Sequence, residues 1–213
     1  MTPKTENNNS RDKILGGLRD APTHWWESNW PDEVPGGNVF AIDGGLLKTF
    51  HEELNALGGK VFIENGEDRL FKRLKELCEE REWKELTVSD EALKYKLVSH
   101  GFSTKAFDSG RHNFEPGVTG CDALVALTGS VMVSSGGSSG RGMNVFPPVH
   151  IVIARESQLV SSIKEGFLRV EADYGNRPSQ VTLISGPSRT ADIEKTLVMG
   201  AHGPRELIVL VDA

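Results

Sequence analysis

Residues 206–211, Glu-Leu-Ile-Val-Leu-Val, are an almost unbroken apolar run, too short for a buried helix, and read as a strand covered on both faces. Such a strand needs a partner on each side and a packed layer above and below, which is what a parallel sheet sandwiched between other elements provides. The preceding chain supplies candidates for those elements. Helical periodicity predicts helices over 43–57, capped by Asp43 and stopped at Gly58 and Gly59, over 67–83 with Leu70, Leu74 and Leu77 on one face, and over 90–100, 158–174 and 190–199. Apolar β-type runs predict strands over 60–64, 85–89, 102–107, 123–127, 130–134, 149–154 and 180–185. Helices alternating with buried strands imply an α/β fold with a layered, mostly parallel sheet.

The 213 residues suit one large domain with a substantial core. Thirty acidic against 24 basic side chains give a formal charge of −6, a field that opposes nonspecific binding to nucleic acid or anionic lipid but leaves room for a local anion site. Cys78 and Cys121 are far apart in sequence with no second sulfur near either, so neither a zinc ribbon nor a four-thiolate cluster can be built from this chain alone. No apolar stretch approaches the ~18 to 20 residues that span a bilayer, and Asn7, Asn8 and Asn9 stand where a signal peptide needs an apolar run. The expectation is a cytoplasmic protein without metal or cofactor. A short helix from Ser10 to Arg19 precedes an arm in which Trp25, Trp26 and Trp30 sit among prolines and glycines; it clamps its own domain or meets a partner. The domain reading is therefore 1–38 for helix and arm and 39–213 for the α/β unit.

Ligands of open α/β sheets bind beyond the carboxyl ends of strands, where loops enter helix N-termini. Three segments qualify. Around Ser185-Gly186-Pro187-Ser188-Arg189-Thr190, a glycine turn leads from a strand into a predicted helix, with Ser188 or Thr190 as cap and Arg189 beside it; this is an anion site or only a well-capped helix. The loop 136–142, glycine- and serine-rich around Arg141 and following Ser135, closes over an anion or merely connects two strands. The third, 117–122, carries Thr119, Cys121 and Asp122; the thiol is a nucleophile only if nearby positive charge lowers its pKa, and is otherwise inert and buried. None of the six histidines forms a metal-ligand pair, and His150 and His202 suit structural roles or the ligand edge of the sheet.

The runs Val118-Thr119-Gly120, Thr128-Gly129-Ser130, Pro147-Pro148-Val149-His150, the stretch 185–194 and Gly200-Ala201-His202-Gly203-Pro204-Arg205 together resemble the LUD domain family, in its lactate utilization protein C branch. The resemblance covers about 117–213 and implies a three-layer α/β/α fold similar to the NagB/RpiA/CoA-transferase superfamily, with a Rossmann-like core. It further implies an accessory component of L-lactate (2-hydroxy acid) oxidation to pyruvate, with separate iron-sulfur partner chains. A small anionic ligand is expected at Thr119, Ser135, Arg141, Ser188, Arg189 and Thr190. Family members commonly carry Glu where this chain has Leu127, which neither takes nor gives a proton. A stand-alone transferase or isomerase on a phosphorylated or CoA-linked compound, or a ligand-binding regulatory module, remains open.

Overall fold

The structure is a computed structural model and describes residues 8–20, 42, 44–108, 115–137, 141–175, 178–191, 197–199 and 203–213. Asp43, the tryptophan arm, residues 138–140 and His202 lie outside them. The chain divides into two compact units, 1–39 and 40–213. Of the first, α1 (Asn8–Arg19) is a helix with Ile14 and Leu18 exposed one turn apart.

The second unit runs α2 (Leu46–Ala56), β1 (Lys60–Glu64), α3 (Glu67–Glu80), β2 (Leu86–Val88), α4 (Glu91–Ser99), β3 (Thr104–Ala106), β4 (Gly117–Thr119), β5 (Ala123–Val125), β6 (Ser130–Ser134), β7 (Val149–Arg155), β8 (Leu159–Val160), α5 (Ile163–Tyr174), β9 (Val181–Ile184), β10 (Arg189–Ala191), β11 (Leu197–Met199) and β12 (Glu206–Asp212). Six strands form one sheet in the order β1-β12-β7-β4-β2-β3, with every neighbouring pair parallel. The apolar run of β12 lies between β1 and β7, and its side chains alternate between two cores. Leu207, Val209 and Val211 pack with Phe50 and Leu54 of α2, while Ile208 and Leu210 pack with Leu70, Leu74 and Leu77 of α3 and Leu97 of α4. The continuous hydrophobic stretch is thus the signature of a strand with no solvent face.

Helices flank the large sheet on both faces as expected, α2 on one and α3 with α4 on the other. The α2 face also carries a second sheet, β8-β5-β6-β9, which pairs β5 with β6 and β6 with β9 antiparallel. Leu124, Val131 and Val133 of that sheet face the large one, and its other side, with Val125 and Met132, receives Val170 of α5. The 123–127 run breaks after Val125 into a 3-10 turn over Ala126–Thr128, and the helix expected from 158 starts only at Ile163, after β8. The helix expected over 190–199 is also corrected: Arg189 pairs with Met199 and Ala191 with Leu197 in an antiparallel hairpin, and residues 192–196 lie outside the described ones. Thr190 and Val198, which pair in this ladder, are β-branched residue types that suit an extended strand better than a helix.

Candidate functional site

At the carboxyl edge of the large sheet the chain leaves in two directions. After β1 and β2 it turns into α3 and α4 on one face; after β4 and β7 it crosses to β5 and β8 in the second sheet. Divergence of neighbouring strands opens a crevice, the usual ligand position in open α/β sheets. Here it is a 250 Å³ chamber whose polar lining comes from Glu67, Asp90, Lys96, Arg155, Gln158 and Asp212. A smaller chamber of 140 Å³, lined by Asp122, Ser134, Gly137 and Tyr174, shares Asp90, Gly120 and Cys121 with it.

Two of the carboxylates are anchored by helix starts. The Leu93 amide donates to Asp90 Oδ1 at 2.8 Å, capping α4, and the Gly66 amide donates to Asp212 Oδ1 at 2.9 Å at the start of α3. Each therefore keeps an oxygen without a hydrogen bond among the described residues. Lys96 pairs with Glu67, whereas Arg155, exposed at the end of β7, makes no ion pair among the described residues. In the smaller chamber Asp122 accepts on both oxygens: Tyr174 donates its hydroxyl to Oδ1 at 2.6 Å and the Ser134 amide donates to Oδ2. Burial first, then Asp122, pushes the Tyr174 phenol up to about 12. The same two influences push the Cys121 thiol up to about 12, outweighing Arg169 and Arg155, so it stays a thiol and is no nucleophile at neutral pH.

Beneath Gly120, Thr119 is fully buried; its hydroxyl donates to the Gly120 carbonyl at 2.8 Å and, with that proton committed, accepts from His150 Nε2 at 2.8 Å. His150 Nδ1 is left as a buried acceptor without a partner among the described residues, and burial pulls the imidazole down to about 4. His150 is neutral and holds the end of β4 in place. Among the described residues no group of three or more His, Cys, Asp or Glu is arranged to hold a metal.

The six residues singled out by the sequence fall into separate places. Thr119 ends β4 under the crevice. Ser135 and Arg141 meet through Ser179, which stands 3.1 Å from Ser135 Oγ and accepts from Arg141 Nη2 at 2.6 Å. Ser188, Arg189 and Thr190 belong to the opposite edge of the sheet. The Ser188 amide donates to the carbonyl of Pro204, just before β12 begins, and Arg189 Nη2 donates to the Leu57 carbonyl at 2.9 Å, just before β1 begins. Arg189 thus serves the carboxyl terminus of α2, where a cation suits the helix dipole, instead of a helix N-terminus. Leu127 sits half-buried in the 3-10 turn, with its amide donating to Ser161 O. Sequence reasoning passed over Asp90, Asp212 and Arg155, although each follows a predicted strand at its carboxyl end.

The sequence pattern of the LUD domain matches residues 47–211, which is most of the chain. The chain belongs to the LUD domain family. Among curated relatives, it is 37% identical over 98 residues to an uncharacterized protein of Neisseria meningitidis serogroup B, covering 46% of this chain and 42% of that one. It is 38% identical over 96 residues to the lactate utilization protein C of Deinococcus radiodurans, 44% of each chain, and 41% identical over 91 residues to that of Halalkalibacterium halodurans, 41% of this chain and 40% of the other. The matches thus span less than half the length of these relatives. The LUD fold is shared with the crystal structure of a DUF162 family protein from Deinococcus radiodurans, at a TM-score of 0.60 and 19% identity over 79% of this chain and 96% of that one.

Proposed function

We propose that this LUD-domain chain is an accessory component of lactate utilization, binding a small 2-hydroxy acid or related anion at the carboxyl-edge crevice and working with iron-sulfur partner chains in oxidation to pyruvate. The likeness to proteins named lactate utilization protein C supports the pathway, and one observation carries the site: Arg155, a guanidinium without an ion pair among the described residues, lines a chamber of 250 Å³. In this reading 39–213 is the ligand unit, with 1–38 appended. Thr119 belongs to the site through Gly120, and Ser135, next in the chain to Ser134 of the smaller chamber, is linked through Ser179 to Arg141. Ser188, Arg189 and Thr190 are scaffold.

A second reading, a binding module without turnover, is favoured by the crevice's titratable groups. Cys121 and Tyr174 are both pushed up to about 12, so neither is poised to move a proton at neutral pH. Both readings predict binding. L-Lactate at ~100 times its dissociation constant should add about 2.7 kcal/mol of stability and raise the melting temperature by several degrees, an effect lost in Arg155→Ala. The accessory reading adds that tagged protein isolated anaerobically from its native cell brings an iron-sulfur chain with it. Lactate binding without such a partner would favour the module.

A further inference from the structure

The two chambers are larger than a three-carbon acid needs. Even at about 30 Å³ per heavy atom, the packing share of a water molecule, lactate leaves part of the 250 Å³ chamber and all of the 140 Å³ chamber unfilled. The polar lining is also lopsided. One guanidinium, Arg155, stands ready for an anionic group, while Asp90 and Asp212 each hold one oxygen on a helix-start amide and present a second that accepts. These acceptors are rigid, because the capping bonds fix the carboxylates.

An acceptor oxygen can take a hydroxyl or an ammonium, and the surroundings decide between them. Both carboxylates sit at the positive ends of helix dipoles, α3 with 14 residues and α4 with 9, which offset part of their charge and so weaken their pull on a cation while leaving a neutral hydroxyl unaffected. Resting on the crevice assignment above, we infer that the site takes a polyhydroxy monocarboxylate longer than lactate, its carboxylate on Arg155 and its hydroxyls donating to Asp90 and Asp212. The smaller chamber receives the distal end of the ligand past Gly120.

The test compares D-gluconate, L-lactate and L-lysine by calorimetric titration of the full chain, lysine placing an ammonium where gluconate places a hydroxyl. Asp90→Asn and Asp212→Asn keep a side-chain oxygen for the capping amide but turn the spare acceptor into a donor, so the fold survives the change. Gluconate should bind at least tenfold more tightly than lactate. Each Asn variant should weaken gluconate about tenfold, the order expected for a lost hydrogen bond to a charged group, while leaving lactate within about twofold. Arg155→Ala should weaken both. Lactate binding as tightly as gluconate, Asn variants without effect on gluconate, or lysine binding more tightly than gluconate would each overturn this ligand class while leaving the crevice assignment intact. Failure of both carboxylates to bind the folded protein would overturn the class and the assignment together.

Discussion

His150 carries the clearest pH signature among the described residues. Its folded value of about 4 lies below the 6.5 of a free histidine, so between those values the unfolded chain binds more protons and stability rises with pH. The contribution is complete above pH 6.5 and is lost as pH falls toward 4, amounting to about 3 kcal/mol at 1.36 kcal/mol per pH unit. Denaturant titrations of wild type and His150→Asn at a series of pH values should diverge in slope across that window; parallel curves would exclude this role. Glu82 offers a second residue-level check. It holds φ 56° directly after α3, a left-handed stop at which Trp83 donates its amide back to the Cys78 carbonyl, the place where helices usually put glycine. Glu82→Gly should stabilise by about 0.5–1 kcal/mol in chemical denaturation, the strain relieved being partly offset by unfolded-chain entropy. Loss of stability on that change would contradict the argument.

Among the elements, α2 is held from two directions. Gly129, with φ 53°, lets the turn before β6 touch the helix backbone: a Cβ there would stand 2.4 Å from the Leu54 amide nitrogen. Gly129→Ala should therefore cost at least about 2 kcal/mol, from the left-handed backbone and the forced separation together. Arg189→Ala, which removes only an exposed hydrogen bond to the carboxyl cap of α2 at Leu57, should cost no more than about 1 kcal/mol and leave ligand binding unchanged. The contrast shows what was legible in sequence. Long periodic stretches such as 67–80 and the apolar run of β12 announced themselves because burial wrote the pattern. β4 did not: of its three residues only Val118 is a large apolar side chain, and its burial comes from strands on both sides that are distant in sequence. The hairpin of β10 and β11 was hidden for the opposite reason, since Ser188 just before it and Thr190 within it also make good helix caps.

At the scale of the whole molecule, the site draws on the ends of β1, β2, β4, β7 and β12, and no local motif records that convergence. Asp90 and Asp212 read in sequence as an ordinary helix cap and an ordinary strand end, and only the strand order β1-β12-β7-β4-β2 sets them around one chamber. Thr119 ends a strand-like segment before a glycine, whereas Arg189, read in sequence as lying beside a helix N-terminus, starts a strand instead and bonds to Leu57 at the amino edge of the large sheet. The central claim is that ligand binds at the carboxyl edge. The most direct test is backbone amide chemical-shift mapping during titration with D-gluconate and with L-lactate. The account predicts shifts concentrated at Asp90, Gly120, Cys121, Arg155 and Asp212, with Gly186, Ser188 and Arg189 unmoved; shifts confined to 186–189, with the crevice amides silent, would contradict it.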